Sequence, residues 1–388
     1  MVDTRLESDI SLNSNIEELN SAITRSIITA AENTISRTKN VGKRPIPWWN
    51  SDCQRAVRRK KAAFLKMKRT FKIDDVLAFK KSRSECRRTI LNAKRRCWEA
   101  YCSTMDIKTN VKTVWRTVRA LSGIYCGKTF PDLKTDDGGT ISDDRSKANA
   151  IANVLAEVSS TNNYPPGFPT DEVMLDITDP EISAIYQEAN DPLNRMFTLA
   201  ELQCAISSRK NASPGRDSVC YPMLKKLPVN SLKYLLRLVN SSWSTGTVPA
   251  AWKHSIIVPI PKNGKDPTSA KSYRPISLTS HIGKVMEVMV VNRLRWFLET
   301  HGLLHISLSA FRRERSTVDH ILRLHDAIYK SLINQRSVMA VFLDIERAYD
   351  MVWRDGLITK LFKMGIRGQM LRWIRALIYD RSFQVKLE

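Results

Sequence analysis

Cysteine is sparse and patternless in this chain. The seven thiols, Cys53, Cys86, Cys97, Cys102, Cys126, Cys204 and Cys220, form no CxxC pair and have no histidine at zinc-finger spacing. That leaves no basis for a disulfide framework or a structural zinc site, so reduced packing thiols are expected. No run approaches 18 consecutive apolar residues, so no transmembrane helix and no membrane partner are expected. The N-terminus, MVDTRLESDISL, lacks a basic stretch followed by an apolar one, so no signal peptide is expected. Nucleus and cytoplasm are the expected compartments. Neither proline nor glycine occurs between residues 50 and 100, so nothing there interrupts a long helix. Acidic residues are outnumbered, 39 against 62 Lys and Arg, for a net charge of +23. A surplus that large favours a polyanionic partner, because cationic side chains displace the counterions condensed on phosphates. Charge alone weighs a polyanion-binding protein and an ordinary basic, soluble protein equally, and it does not indicate an enzyme.

With 43% hydrophobic residues in 388, there is material for two packed domains. Ile16, Leu19, Ile23, Ile27, Ala31 and Ile35 recur at helical spacing, and Ser14 and Glu17 have the spacing of a capping box. Residues 55–96 hold 17 Lys and Arg against three acids, +14 of the +23. Apolar residues such as Phe64, Leu65, Leu77, Phe79 and Trp98 are threaded through them. The expectation is a cationic helical hairpin turning near Asp74-Asp75. Its candidate nucleic-acid contacts are Arg58, Arg59, Lys60, Lys61, Arg87, Arg88, Lys94, Arg95 and Arg96, the alternative being an ordinary solvated face. Three regions are expected: a basic helical region 1–130, a loosely structured connector 131–195 and an α+β region 196–388. In the last, Leu199–Ser208, Leu232–Trp243, Ile282–Leu298, Val318–Leu332, Gly356–Met364 and Gln369–Tyr379 read as helices, and Ser255–Pro261 as a strand. Val338–Leu343, six apolar residues in a row, reads as a buried strand.

That run ends on Asp344. A carboxylate where a buried strand emerges is suited to holding Mg²⁺, which prefers hard oxygen ligands; it is equally suited to capping a helix. If the chain folds back beside the strand, the following turn brings Tyr349 next to whatever Asp344 holds. Ile257–Lys262 and Ser272–Leu278 flank a polar turn and read as a β-hairpin, with Pro259, Pro261 and Pro275 implying edge positions. It carries Lys262 and Arg274, a point charge and a planar fork able to hold a triphosphate, or two solvated charges beside a turn.

Taken together and in order, these segments resemble the reverse transcriptases of non-LTR retrotransposons, jockey-like elements in particular. Ala212–Asp217 (ASPGRD) is similar to the family's Ser-Pro-Gly-x-Asp loop. Trp252–Leu278 and Gly283–Glu287 resemble its fingers signature, and Phe311–Asp319 the segment preceding the palm. Val341–Trp353 (VFLDIERAYDMVW) resembles the first palm motif. Pro47-Trp48-Trp49-Asn50 and the basic run after it resemble the linker between endonuclease and polymerase, so the likeness covers roughly 45–120 and 195–388. The resemblance implies reverse transcriptase fingers and an incomplete palm, acting on an RNA template, a DNA primer and dNTPs by two-metal phosphoryl transfer with Mg²⁺. It makes Asp344 a catalytic metal ligand, with the Ile345 backbone adding an oxygen. Tyr349 becomes the wall against a 2′-OH, and Lys262 and Arg274 become triphosphate contacts.

One departure stands against the agreement. The family's second palm motif, aromatic-x-Asp-Asp, and the Gly-x-Pro-Gln-Gly-Ser segment before it do not occur in these residues, nor do the thumb and the endonuclease. A truncated fragment without activity of its own is therefore expected. Two alternatives stay open: a non-catalytic nucleic-acid-binding remnant or exapted protein working through residues 55–96, and a group II intron-type or telomerase-type polymerase. The linker and fingers segments weigh against the last. The sequence says nothing about oligomeric state.

Overall fold

The structure, a computed structural model, describes residues 2–3, 6, 14–35, 48–106, 114–115, 117–118, 130–135, 137–160, 163–164, 168, 191–345 and 347–387. Residues 42–47, 165–167 and 171–190, and Glu346 of the segment resembling the first palm motif, lie outside the described residues. The chain forms two compact units, one of Met1–Ser36 with Phe130–Glu388 and one of Arg37–Thr129. The expected region 1–130 is thus divided at residue 36, and the expected boundary at 195 falls inside the larger unit. Among the described residues no helix is long and apolar enough to cross a membrane.

Helix α1 (Ile16–Thr34) is capped one residue later than expected. Asn15 and Glu18 exchange the two capping-box hydrogen bonds, both 2.9 Å. Glu17 is thereby released to accept the Ala250 amide at 2.7 Å. Leu19, Ile23 and Ile27 enter the core, as their spacing requires.

In the smaller unit, α2 (Ser51–Thr70) and α3 (Ile73–Cys102) form a helical hairpin. The turn lies at Phe71-Lys72, just before the expected Asp74-Asp75, which instead occupy the first turn of α3 and favour its positive end. The seam is narrow. Cys53, Ala56, Lys60, Ala63 and Met67 face inward at alternating three- and four-residue steps, and Asp75, Phe79, Ser82, Cys86, Ile90, Ala93 and Cys97 do so at steps of three or four. Such a stripe occupies two positions per heptad, and much of what lies outside it stays in solvent, including Leu65, Leu77, Leu91 and most of the cations.

In the larger unit a short hairpin, β1 (Leu133–Lys134) and β2 (Thr140–Ile141), and helix α4 (Asp144–Val158) fold within the segment expected as a loose connector. A buried Lys147 anchors them, donating to Asp132 at 2.8 Å and to the Phe130 carbonyl at 3.2 Å. Then follow α5 (Leu199–Ser207), the single turns α6 (Tyr221–Leu224) and α8 (Ala250–Lys253), and α7 (Val229–Thr245). Strands β3 (His254–Pro261) and β4 (Tyr273–Leu278), and helices α9 (His281–Thr300), α10 (Thr317–Ile333), α11 (Arg354–Lys363) and α12 (Gly368–Ile378), come next, before β5 (Ser382–Val385). Helices α5, α7, α9, α11 and α12 enclose the main core around Trp243, Trp252 and Trp373. All three indole N–H groups donate internally, to the Asn194 carbonyl (3.1 Å), Asn20 (2.9 Å) and Ser242 (3.0 Å), which removes the cost of burying them.

The sheet order is β4-β3-β5, β3 being antiparallel to β4 and parallel to β5. Although β3 is central, β5 reaches only His254–Ile257. Pro259 and Pro261 lie in the half that β5 leaves uncovered, so the expectation of edge positions holds locally and no ladder donor is lost.

One expectation is overturned. Val338–Leu343 forms no strand, and Phe342 and Leu343 are 82% and 91% exposed. A continuous apolar run becomes a buried strand only beside neighbours that hydrogen-bond it, and no described strand lies beside this one. Helix α10 likewise buries none of its residues, despite an apolar stripe that includes Ile321, Leu322 and Leu332.

Glycine is required at 215 for closeness of approach. A Cβ there would lie 2.6 Å from the carbonyl carbon of Thr279 and 2.8 Å from the Ser280 nitrogen. Gly215→Ala should therefore cost about 1–3 kcal/mol of stability, the usual penalty for overpacking, read as a lower urea midpoint. An unchanged midpoint would mean that the loop lifts away freely.

Candidate functional site

The β3–β4 hairpin positions two of the expected cations. Pairing runs from Ile256↔Leu278 to Pro261↔Tyr273, with Ile260 opposite Arg274. The turn beyond it is tied down from several sides. The Lys262 amide donates to the Ser272 carbonyl at 2.8 Å and its ammonium to the Lys271 carbonyl at 2.9 Å. The Tyr273 hydroxyl donates to the Pro267 carbonyl at 2.5 Å, and its ring stacks on Phe130 at 4.8 Å. Burial pushes the Tyr273 phenol up, with the Asp266 carboxylate adding to the shift. Lys262 is half-buried with its charge engaged across the turn, whereas Arg274 is exposed.

Strand alternation separates Arg274 from the cavity behind the sheet. Side chains opposite one another in a ladder share a face, and neighbours along the strand take opposite faces. Arg274 therefore lies with Ile260 on one face, while Ser255, Ile257, Pro275 and Ser277 line a cavity of about 530 Å³ on the other. Its remaining walls come from α4 (Leu155, Val158), Ser159, the start of β5 (Ser382, Phe383) and the turn and helix start at Tyr349, Asp350, Val352, Arg354 and Leu357. Arg354 donates to the Ser159 carbonyl at 3.0 Å and ties α11 to the end of α4. Arg381 also lines the cavity. Its charge opposes the effect of burial on Glu287, whose carboxyl burial nonetheless pushes above the usual range.

The first-palm-motif residues are placed unevenly. Asp344 lies on the exposed, unpaired segment and is not among the cavity-lining residues; Ile345 is three-quarters exposed. Tyr349 reaches the cavity rim and meets Phe311 edge-on at 6.4 Å. The five candidates thus divide into a hairpin pair (Lys262, Arg274), a cavity residue (Tyr349) and an exposed pair (Asp344, Ile345). Among the described residues no three His, Cys, Asp or Glu side chains gather as a metal would require. Asp344 alone, on an exposed segment, does not make a complete Mg²⁺ site.

Two cavity cations, Arg354 and Arg381, were not anticipated; nothing in their local pattern marks them, since each belongs to an ordinary junction between elements. The Ser213–Asp217 loop is better explained. It docks on the start of α9, where His281 donates from Nε2 to the Ser213 carbonyl at 3.1 Å and stacks on Tyr221 at 3.8 Å. Burial, with Lys284 adding to it, holds the His281 imidazole below its ordinary pKa, so it stays neutral as a packing element.

The nine expected nucleic-acid contacts all lie on α2 and α3. Arg58, Arg59, Lys61, Arg87, Arg88, Arg95 and Arg96 are exposed, while Lys60 and Lys94 are half-buried along the seam. Lys94 sits 4.7 Å over the Trp48 ring, and Arg95 pairs with Glu99 at 2.8 Å. Both are partly committed within the hairpin.

Residues 260–388 match the family described as reverse transcriptase (RNA-dependent DNA polymerase). The chain is 27% identical over 401 residues to the "Probable RNA-directed DNA polymerase from transposon BS" of Drosophila melanogaster, covering 99% of this chain and 42% of that protein. It is 28% identical over 284 residues to the RNA-directed DNA polymerase from mobile element jockey of the same fly, covering 73% and 30%. To the jockey polymerase of Drosophila funebris it is 31% identical over 189 residues, covering 48% and 20%. The chain spans less than half the length of each of these relatives. Residues 260–388 thus match the reverse transcriptase family, and the chain is similar to RNA-directed DNA polymerases of the BS and jockey elements, which supports a jockey-like, non-LTR likeness.

Proposed function

We propose that this chain carries the fingers and the first part of the palm of an RNA-directed DNA polymerase that copies an RNA template onto a DNA primer. The reading rests on one observation: a reverse transcriptase match at 260–388 inside a likeness to a transposon polymerase that runs through 99% of the chain. With the missing second carboxylate arm supplied, the reaction class would be phosphoryl transfer at two divalent metals, expected to be Mg²⁺, and Asp344 would contribute one of the carboxylates that hold them. In this proposal Lys262 and Arg274 contact the triphosphate, Tyr349 and the Ile345 backbone border the nucleotide, and the α2–α3 hairpin holds template or primer phosphates.

These 388 residues contain no aromatic-x-Asp-Asp sequence, and the described ones gather no carboxylate cluster. The 388-residue chain alone, given a primed RNA template, dNTPs and Mg²⁺, should therefore make no DNA. Templated synthesis by it would overturn that part of the proposal and point to Asp350 or Glu346 as a substitute ligand. Fused to a relative's second palm segment, the chain should gain activity. Asp344→Ala should then abolish synthesis, whereas Tyr349→Ala should keep much of the rate with dNTPs and admit ribonucleotides. Equal losses from both, with no change in sugar choice, would leave Tyr349 as packing. If no fusion is active although the chain binds nucleic acid, a non-catalytic binding protein is the better account.

A further inference from the structure

The tip of the α2–α3 hairpin is built unlike its flanks. Two large apolar residues stand there in solvent, Phe71 at 77% and Ile73 at 79% exposure, with exposed Leu77 one turn along α3. Phe71 has φ +51°, the left-handed conformation that closes α2, with its amide donating to the Met67 carbonyl at 2.9 Å. Glycine usually occupies such a position because a Cβ is strained there. A large aromatic residue in that conformation, almost fully exposed, gains no burial to offset the strain. Neither fold stability nor solubility accounts for it.

The tip is also charged. Lys68, Arg69 and Lys72 are exposed around Phe71. Of the two acids nearby, Asp75 is neutralised within the hairpin: hydrogen bonds from Thr70 (2.6 Å) and Lys66 (2.9 Å) hold its carboxyl below the usual range. Asp74 remains exposed. Behind the tip, Phe64 and Phe79 pack across the seam at 5.3 Å, fixing the two helices where they converge.

We propose that Phe71, supported by Ile73, is a stacking tip that caps an exposed base of a bound nucleic acid, with Lys68, Arg69 and Lys72 holding the adjacent phosphates. The inference rests on the reading of this hairpin as a nucleic-acid contact and goes beyond it in assigning a base contact. An aromatic ring among cations matches an unpaired base, whose face is apolar and whose backbone is anionic. Base pairs inside an intact duplex offer no free face and a blunt duplex exposes only its two paired ends, so the tip favours nucleic acids with unpaired, unstacked bases over blunt duplexes, which the cations alone do not.

The test uses the whole chain and two RNA probes, a blunt duplex of about 20 base pairs and the same duplex with an overhang of about five nucleotides carrying 2-aminopurine. The wild type should bind the overhang probe more tightly and quench the 2-aminopurine. Phe71→Ala should weaken overhang binding about five- to a hundred-fold, the range set by one base stack, remove the quench and leave blunt-duplex affinity within about twofold. Phe71→Gly separates function from folding, since it relieves the left-handed strain. It should raise the melting temperature and still lose the overhang preference. Lys68→Glu with Arg69→Glu should weaken both probes. The proposal is overturned if Phe71→Ala changes both probes equally or neither. It is also overturned if Phe71 instead governs binding to phosphatidylserine vesicles, which would make the tip a lipid anchor. If neither RNA binds at low salt, the reading beneath the proposal falls with it, whereas salt-sensitive binding indifferent to Phe71 removes only the tip.

Discussion

Arg293→Met is expected to lower the unfolding free energy of the larger unit by about 3 kcal/mol, within the range of about 3–5 seen when one partner of a buried ion pair is removed. The Arg293 guanidinium is buried and fully used. Nε and Nη2 form a two-pronged pair with Glu201 at 2.8 and 3.0 Å, and Nη2 also reaches the Met196 carbonyl at 3.0 Å. Nη1 donates to the Arg195 carbonyl, and the guanidinium plane lies 3.8 Å over the Phe197 ring. Glu201 in turn closes the capping box of α5 with Thr198. One side chain thus fastens the 193–197 segment, the α5 cap and α9 together. Methionine fills the volume and leaves the carboxylate and carbonyls without their donor. The lower end of the range applies because the Glu201 side chain keeps 28% of its exposure, so water recovers part of the loss. Arg293→Lys should lie between, since an ammonium cannot reproduce the fork. Acid should act through the same pair. Burial raises the Glu201 carboxyl, but hydrogen bonds from Arg293 and the Thr198 amide outweigh it and hold it below the usual glutamate range. A depressed folded pKa contributes stability that is complete above the unfolded value and is lost as pH falls through the folded one. Urea midpoints followed by tryptophan fluorescence should therefore fall in the wild type below about pH 4.5, and fall less in Arg293→Met. Equal midpoints for the two proteins at pH 7 would show that the pair contributes nothing.

The elements legible in the sequence were those whose signal is local. Proline spacing around Pro259 and Pro275, with a polar turn between, specified the β3–β4 hairpin because ladder donors and turn residues leave their mark within a few positions. The periodic helices followed for the same reason. Val338–Leu343 failed because burial of a strand depends on partners elsewhere, and an apolar run records only a capacity for it. The α2–α3 seam was hidden because many of its inward residues are small or polar (Ala56, Ser82, Cys86, Ala93), while several larger apolar residues that draw attention, Leu65 and Leu77 among them, lie outside it. Strand β5 and the cavity cations Arg354 and Arg381 depend on tertiary placement, and the sequence around them carries no mark of it. Among the site candidates, residue type was legible and assembly was not. The hairpin pair, the cavity tyrosine and the exposed aspartate are where their segments put them, but no sequence rule states that strand parity turns Arg274 away from the cavity that Tyr349 borders.

The largest change expected of any solution measurement is in nucleic-acid binding against salt. Residues 55–96 present +14 on a hairpin whose longer helix, at 1.5 Å per residue over 30 residues, is about 45 Å long. That length spans many phosphates, and each one neutralised releases part of a counterion, so log affinity should fall linearly with log salt. With six or more phosphates engaged, affinity should drop by at least about a thousand-fold between 50 and 200 mM salt. It should vary little with sequence, since cationic side chains on helix faces meet the backbone before the base edges. Arg87, Arg88 and Arg96 are exposed and off the seam, so reversing all three to glutamate leaves the packing of α2 on α3 in place. The slope should then fall by about two to three, roughly 0.7–0.9 for each phosphate no longer neutralised. Lys94→Gln should behave differently. Its ammonium lies over Trp48, so the substitution should loosen the hairpin's packing and change the salt slope by less than one. A slope unaffected by the triple reversal would move the binding surface elsewhere on the chain. Affinity independent of salt would leave α2 and α3 as two solvated helices with no nucleic-acid role.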